Sequence, residues 1–284
     1  MAAIVDDVVA VSRGRMGMAV AGNGGPPVVL LHGWPGFSID YRDVMPLVAR
    51  RARAIAPDFF GFGASEVPVG PPEEVADEAA LAGDVIELVD ALGLEQPVLA
   101  GHDVGSAVAA AVARRAPHRI RGLVLMNPTH PFIGDKRWAP RAQREAWYQH
   151  FHLLPLAEAL LDGRRRSIEL YLGHFYAHWA GSAPIRRELV VSLVDAYARP
   201  GAFAASLAWY RARAAHRDRA QPVAPVEVPT IALWGDRDPM RPLEQREGFE
   251  RAFPRSQSRV LAGVGHFVPI EAPEAVAEAV GELL

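Results

Sequence analysis

The sequence contains no cysteine among its 284 residues, which excludes a disulfide framework and a thiolate metal site. It also lacks an excess of charge of either sign, and a formal net charge of −3 argues against nucleic acid or an anionic membrane as a partner. No apolar run approaches the roughly 18 residues that a membrane span requires. The N-terminal stretch lacks the basic region of a signal peptide. We therefore expect a cytoplasmic globular protein that binds neither nucleic acid nor membrane.

Short apolar runs alternate with helical patterns along most of the chain. One helical stripe ends at Gly93, and another has Pro273 in its first turn. Several of the apolar runs are apolar on both faces, as strands of a parallel sheet between helix layers should be. This alternation predicts an α/β fold with a mostly parallel sheet. The predicted strands are Val28–Leu31, Ala54–Ile55, Val98–Ala100, Leu123–Met126, Ile231–Trp234 and Val260–Leu261.

The alternation stops between about Pro128 and Pro225, where the pattern is helical and rich in aromatic side chains. The simplest interpretation is a helical cap inserted between two parts of one sheet. We therefore expect an α/β core formed by residues 1–129 and 226–284, and a helical cap, or lid, formed by residues 130–225.

The segment Gly101-His102-Asp103-Val104-Gly105 follows a predicted strand and opens a helix of small residues. A strand that turns sharply into a helix, with glycines two residues on either side of the central residue, is the nucleophile elbow of the α/β-hydrolase fold. Serine usually occupies the centre, but this sequence has no G-x-S-x-G segment. The pattern predicts that Asp103 is the nucleophile.

Two further residues complete a predicted catalytic triad, because the fold places nucleophile, acid and histidine in that chain order. Asp238 follows the strand Ile231–Trp234, and His266 lies between the last predicted strand and the last helix. Asp236 competes for the acid role. Asp238 is preferred because it lies further beyond the strand end, where a loop can carry it under the histidine.

The tetrapeptide His32-Gly33-Trp34-Pro35 follows the strand Val28–Leu31, where this fold supplies the second donor of the oxyanion hole. We expect the backbone N–H groups of Trp34 and Val104 to be the two donors.

An aspartate nucleophile restricts the chemistry. Attack of a carboxylate on an ester carbonyl would give an anhydride, whereas attack on a saturated carbon gives an ester that water can hydrolyse with His266 as general base. Opening an epoxide and displacing a halide both fit. An epoxide oxygen also needs a hydrogen-bond donor, and the predicted cap offers the phenols of Tyr148 and Tyr210. This chemistry requires no metal and no cofactor.

Over nearly its whole length the chain resembles the cap-bearing epoxide hydrolases of the α/β-hydrolase fold. The resemblance rests on the segments His32–Pro35, Pro57-Asp58 followed by Gly61–Ser65, Gly101–Asp103, Trp147-Tyr148 and Trp209-Tyr210-Arg211, and on Asp238 and His266. It implies that both phenols hold the epoxide oxygen of a small hydrophobic substrate that reacts with water, and that the protein is a monomer or a homodimer. We expect the substrate pocket to be lined by His32, Pro35, His102, Trp147, Trp209 and Phe267.

Two alternatives stay open. A dehalogenase for haloalkanes or haloacids would use the same triad. Haloalkane dehalogenases usually have tryptophan at the position of Val104, which counts against the first kind. Fluoroacetate dehalogenases have arginines shortly after the nucleophile, whereas small residues occupy positions 105–108 here. Some members of the fold bind small molecules without turnover, so a non-catalytic binding protein is the second alternative. Val104 also predicts a wider pocket that admits bulkier epoxides.

Overall fold

The computed structural model describes residues 2–216 and 223–284. A single sheet of eight strands in the order β1-β2-β4-β3-β5-β6-β7-β8 forms the centre of the molecule. All pairs from β4 to β8 across the sheet are parallel, which confirms the predicted fold class. The strands are β1 Ile4–Val11, β2 Gly14–Ala21, β3 Pro27–Leu31, β4 Arg53–Pro57, β5 Val98–His102, β6 Gly122–Met126, β7 Thr230–Gly235 and β8 Ser256–Leu261.

The antiparallel hairpin of β1 and β2 is an element that the sequence analysis did not predict. β2 pairs with β4, so the hairpin extends the sheet at one edge. Its outer strand is largely exposed and its inner strand largely buried, so the pattern is weaker than the all-buried runs of β5 and β6. The valines at positions 5, 8, 9 and 11 favour a strand, and Gly14, with a positive φ of 138°, follows the turn of this hairpin.

Helices cover both faces of the sheet and bury two apolar clusters against it. Those of the core are α1 Met45–Val48, α2 Pro72–Val75, α3 Glu78–Ala91, α4 Val104–Arg115, α12 Phe249–Ala252, α13 Val268–Glu271 and α14 Pro273–Glu282. Short 3₁₀ helices lie at Ser38–Tyr41, Pro117–Arg119 and Leu243–Arg246.

Between β6 and β7 the described chain is helical, as predicted. It comprises a 3₁₀ segment Pro131–Trp138 and the helices α5 Pro140–Glu145, α6 Trp147–Phe151, α7 Pro155–Leu161, α8 Arg165–His178, α9 Arg187–Tyr197, α10 Ala202–Ser206 and α11 Ala208–His216. We call these elements the cap helices. Their side chains reach the end of β5, because Tyr148 and Tyr210 line one cavity with Asp103. The domain boundaries given above stay predictions. No helix among residues 2–216 and 223–284 is long and apolar enough to cross a membrane.

Candidate active site

Asp103 occupies a tight turn between β5 and α4. Its φ of 50° and ψ of −112° lie where a non-glycine residue is strained, at a typical cost of about 1–3 kcal/mol. The flanking glycines explain how the turn packs. A Cβ on Gly101 would lie 2.3 Å from the carbonyl oxygen of Gly105, and a Cβ on Gly105 would lie 2.1 Å from that of Leu31. Both positions therefore require glycine for close backbone contact, and the turn holds the carboxylate at the carboxyl end of the sheet.

Three residues predicted from distant parts of the chain lie together around this turn. His266 Nδ1 is 2.8 Å from Asp238 Oδ2, and His266 Nε2 is 3.8 Å from Asp103 Oδ2. All three side chains are buried. Asp236, the competing acid, instead accepts a hydrogen bond of 2.7 Å from the backbone N–H of Gly263 and takes no part in this cluster. The arrangement has the geometry of a nucleophile, a base and an orienting acid.

The loop after β7 fixes Asp238. Its Oδ1 accepts hydrogen bonds from the backbone N–H groups of Met240, at 2.7 Å, and Arg241, at 3.0 Å. The other oxygen, Oδ2, is thereby left to His266 Nδ1. An aspartate that bonds its own backbone two and three residues ahead forms a tight turn, so the local sequence sets the orientation of this carboxylate.

Asn127 is a positioning residue that the sequence analysis missed. Its side-chain amide donates to the carbonyl oxygens of Gly265 and His266, at 3.0 and 3.1 Å, and its Oδ1 accepts from the N–H of Gly235 at 2.9 Å. It thus links the ends of β6 and β7 to the loop that carries the histidine. The sequence offers one indication of this role, because Asn127 is a polar residue directly after the buried strand β6. Asparagine also tolerates the left-handed φ of 45° that the backbone adopts here.

Glu271 is a second missed positioning residue. Its carboxylate accepts backbone N–H bonds from Gly181 at 2.7 Å, Gly265 at 2.9 Å and Phe267 at 2.9 Å. Two of these donors flank His266, so the carboxylate holds the histidine loop against the cap. Gly181 reaches Glu271 only through the tertiary fold, because the two residues are far apart in sequence, and no local pattern indicates their contact.

The three charged groups of the cluster shift one another's pKa values. Burial alone would raise the pKa of Asp103, but the nearby His266 and Arg241 hold it below its ordinary value. Burial likewise opposes ionisation of Asp238, yet the bond to His266 keeps its pKa low. Burial favours neutral His266, and the two carboxylates more than offset this, so its pKa is raised. Both aspartates are therefore ionised at neutral pH.

Two backbone N–H groups face the Asp103 carboxylate. Trp34 N–H lies 3.4 Å from Oδ1, and Val104 N–H also hydrogen-bonds the carboxylate. Gly33 allows this approach, because a Cβ there would lie 2.7 Å from the Cβ of Asp103. These are the two donors that the sequence predicted, and they lie where charge on an Asp103 oxygen would be stabilised.

The phenols of Tyr148 and Tyr210 lie next to one another above the carboxylate. Their ring centroids are 5.6 Å apart, and each hydroxyl affects the pKa of the other. The Tyr148 ring stacks on Trp34 at 5.1 Å, and Gln149 Nε2 donates to its hydroxyl at 3.2 Å. Burial raises the pKa of Tyr148 to about 12, and burial also raises that of Tyr210. Both phenols are therefore proton-bearing donors over the whole physiological range.

A cavity of about 260 Å³ adjoins the carboxylate. Among the described residues its wall includes the two phenols and Val104, together with Ala107, Ile133, Trp209, Met240 and Gln245. Val104 borders it directly. Both apolar and polar side chains line the wall.

Of the six residues predicted to line the pocket, Trp209 does so and the other five do not. The side chain of His32 faces away from the cavity, because its Nε2 accepts a hydrogen bond from Phe59 N–H at 2.9 Å. The side chain of His102 also faces away, because its Nε2 donates a hydrogen bond to the carbonyl oxygen of His266 at 2.7 Å. Burial lowers the pKa of both imidazoles to about 4, so they are neutral structural groups.

The other three residues are also absent from the described wall of this cavity. Trp147 is 42 % exposed and lies against Phe175, with ring centroids 6.0 Å apart, on the outside of the cap helices. Phe267 is buried in a stack with Tyr176 at 4.3 Å. Pro35 lies in the turn after β3, behind the donors of the oxyanion site, and does not border the cavity.

Comparison with known proteins agrees with this geometry. Haloalkane dehalogenase 2 of Mycobacterium tuberculosis (strain ATCC 25618 / H37Rv) is 31% identical over 275 residues, covering 95% of this chain and 92% of its own. The soluble epoxide hydrolase of Corynebacterium sp. (strain C12) is 29% identical over 270 residues, covering 92% of this chain and 91% of its own. The crystal structure of epoxide hydrolase VrEH1 from Vigna radiata has a TM-score of 0.81 and 25% identity, covering 98% and 97% of the two chains.

A family model gives the assignment. Residues 26–273 match the model described as the alpha/beta hydrolase fold, which spans the sheet from the start of β3, the cap helices and the histidine loop. This chain is an enzyme that belongs to the α/β-hydrolase fold family.

Proposed function

We propose that this enzyme hydrolyses epoxides to vicinal diols through an ester on Asp103. One observation carries the proposal: two buried phenols, Tyr148 and Tyr210, line the same cavity as an ionised aspartate nucleophile. An epoxide oxygen that departs as an alkoxide needs such donors, whereas an ester or amide substrate would call for a serine or cysteine nucleophile. The relatives named epoxide hydrolase support the same reaction.

In the first step, an oxygen of the Asp103 carboxylate attacks an epoxide ring carbon. The new carbon–oxygen bond forms an ester, and the ring carbon–oxygen bond breaks and leaves its electron pair on oxygen. Tyr148 and Tyr210 donate hydrogen bonds to that oxygen, and one of the two phenols transfers its proton to it. The low pKa of Asp103 keeps the nucleophile ionised for this attack.

In the second step, His266 removes a proton from water, and the hydroxide attacks the ester carbonyl carbon of Asp103. Asp238 orients the imidazole and stabilises it when it is charged. Negative charge then develops on the oxygen that faces Trp34 N–H and Val104 N–H. Collapse of this intermediate breaks the ester and returns the carboxylate. The departing oxygen takes the proton from His266 to complete the diol, and the second proton of the water restores the phenol. The oxygen of the water therefore stays in the Asp103 carboxylate, and the diol of the first turnover carries an oxygen that came from Asp103.

Halide displacement is the second candidate, and the relative named haloalkane dehalogenase 2 favours it. The same carboxylate would attack the carbon that bears the halogen, and the same histidine would drive hydrolysis of the ester. A departing halide needs N–H donors and no proton. Trp209 lines the cavity and has an indole N–H, whereas the side chain of Val104, next to the nucleophile, offers none.

A single-turnover reaction in ¹⁸O-labelled water tests the proposal. Enzyme in excess over styrene oxide should give unlabelled diol in the first turnover, and mass spectrometry should find the label in the peptide that contains Asp103. Asp103→Ala should abolish turnover, and Asp236→Asn, which alters a nearby aspartate outside the cluster, should keep it.

Other outcomes would replace the proposal. Halide release from haloalkanes without diol from any epoxide would assign the enzyme to dehalogenation. Diol that carries the label in the first turnover would mean direct attack by water and would rule out the ester. No product from either panel, with tight binding of epoxide analogues, would favour a binding protein.

A further inference from the structure

The wall of the cavity that contains Asp103 carries more positive than negative charge. Its described lining includes three arginines, Arg137, Arg213 and Arg241, and Asp103 is the only carboxylate among the described residues that line it. Arg213 lies over the ring of Trp209, 5.6 Å from its centroid. The charge of this wall bears on the kind of substrate that the cavity admits.

Arg241 is the arginine whose placement is most informative. Its backbone N–H bonds Asp238 Oδ1 at 3.0 Å, so the turn that fixes the catalytic acid also fixes the start of this side chain. Nη1 donates to the carbonyl oxygen of Met240 at 3.1 Å, which limits the path of the guanidinium. The side chain is half-buried, and its charge reaches Asp103, Tyr148 and His266.

The guanidinium has hydrogen-bonding capacity that the protein leaves unused. Its Nε is buried and has no hydrogen-bond partner among the residues that the structure describes. Within residues 2–216 and 223–284, Arg241 also forms no ion pair with a carboxylate. Arginine is always charged and presents a planar set of donors that matches a carboxylate, so an unpaired, half-buried guanidinium favours an anionic ligand.

We propose that the substrate is an epoxide that carries a carboxylate, which binds Arg241 while the epoxide ring lies between Asp103 and the phenols of Tyr148 and Tyr210. This inference rests on the proposed function. It adds an anionic end to the small hydrophobic substrate expected from the sequence, and it places the apolar part along Val104, Ile133 and Met240.

A competing explanation assigns Arg241 only to the nucleophile. Its positive charge lowers the pKa of Asp103, so it could serve attack on any epoxide without contacting the substrate. The two explanations differ in one measurable respect. A guanidinium that binds the substrate discriminates between an anionic and a neutral substrate of the same shape, whereas one that only supports Asp103 changes the rate for both equally.

The test uses para-carboxystyrene oxide and its neutral carboxamide, para-carbamoylstyrene oxide, with the wild-type enzyme, Arg241→Gln and Arg241→Lys. Wild type should prefer the carboxylate. Arg241→Gln should lower kcat/KM for the carboxylate about 10- to 100-fold more than kcat/KM for the carboxamide, because one charge-assisted contact is lost with the carboxylate alone. Arg241→Lys keeps the charge and should fall between them. Arg255→Gln, an exposed arginine outside the cavity, is the matched control.

Activity on the carboxamide shows that each variant is folded. An equal loss for both substrates in Arg241→Gln, or no preference of the wild type for the carboxylate, would overturn the proposal and leave epoxide hydrolysis standing.

Binding of non-reacting analogues separates the two proposals. Calorimetry with para-ethylbenzoate and para-ethylbenzamide requires no turnover. If no epoxide reacts but wild type binds the benzoate and Arg241→Gln does not, epoxide hydrolysis fails and the anion site stands. If wild type binds both analogues equally, the anion site fails whatever the outcome of the turnover assays.

Discussion

Removing the two phenolic hydroxyl groups from the cavity is the sharpest test of the proposed chemistry. Tyr148→Phe keeps the ring, and with it the 5.1 Å stack on Trp34 and the 5.6 Å contact with Tyr210. Only the hydroxyl is lost, together with a 3.2 Å bond from Gln149. Tyr210→Phe likewise keeps the ring and its contact with Tyr148. Each substitution therefore removes a donor from the cavity with little change in packing.

The magnitude follows from what the donors do. A positioned donor of a proton or hydrogen bond typically accelerates a step about 10²- to 10⁴-fold. When one phenol is lost, the other still reaches the same oxygen, so each single variant should slow ester formation about 10²-fold, which is about 2.7 kcal/mol of barrier. The double variant leaves the alkoxide without a donor and should slow it at least about 10⁴-fold.

Rapid quenching followed by mass spectrometry of the intact protein measures the rate of ester formation directly. Tyr176→Phe is the matched control, since this buried hydroxyl has no partner and lies outside the cavity wall; it should react at the wild-type rate. A double Tyr148→Phe and Tyr210→Phe variant that forms ester within tenfold of wild type would refute the role of the phenols and, with it, the main support for epoxide opening.

Three further predictions concern the base, its titration and the turn. His266→Gln should form the ester and fail to hydrolyse it, so that mass spectrometry finds the adduct accumulating; rapid release of diol would contradict this. In the free enzyme two carboxylates raise the pKa of His266, and esterification neutralises Asp103. Hydrolysis, which needs neutral imidazole, should therefore be lost on acidification with an apparent pKa below the value that NMR titration gives for the free enzyme; an equal or higher value would refute the coupling. Gly105→Ala should lower Tm, because its Cβ would lie 2.1 Å from a carbonyl oxygen. Gly173→Ala, in the open middle of α8, should stabilise the fold by about 0.5–1 kcal/mol. A calorimetric Tm that is higher for Gly105→Ala than for Gly173→Ala would contradict the packing argument.

The sequence predicted the parts of the molecule whose pattern is local. The apolar runs lie within β3 to β7, because strands buried on both faces need apolar side chains. The run Val260–Leu261 is only the end of β8, a largely exposed edge strand. The triad was also predictable, since the fold fixes the chain order of its members and each follows a recognisable strand. Asp238 was separable from Asp236 by its distance beyond the strand end, and the 2.8 Å bond to His266 involves Asp238.

The pocket was less predictable because it depends on where side chains turn after the backbone has folded. His32 and His102 belong to motifs at the site, yet each satisfies a backbone group and so faces away from the cavity. Conversely, Arg241 belongs to none of the sequence motifs, and the turn at Asp238 directs its side chain into the cavity. The positioning residues Asn127 and Glu271 act through bonds between segments far apart in sequence, which no local pattern reveals.

The structure divides the proposed reaction between two parts of the chain. The sheet and its loops supply the carboxylate, the histidine and the two N–H donors, and these groups suit formation and hydrolysis of an ester whatever group departs. The cap helices supply Tyr148, Tyr210 and Trp209, which are the groups that face the departing atom. Because an alkoxide requires a hydrogen-bond donor that carries a proton and a halide does not, the choice between the two reactions lies in the cap. Loss of both phenol hydroxyls should therefore abolish epoxide opening without impairing the hydrolytic half of the cycle, and an ester formed on Asp103 from an alkyl halide should still be hydrolysed at the wild-type rate.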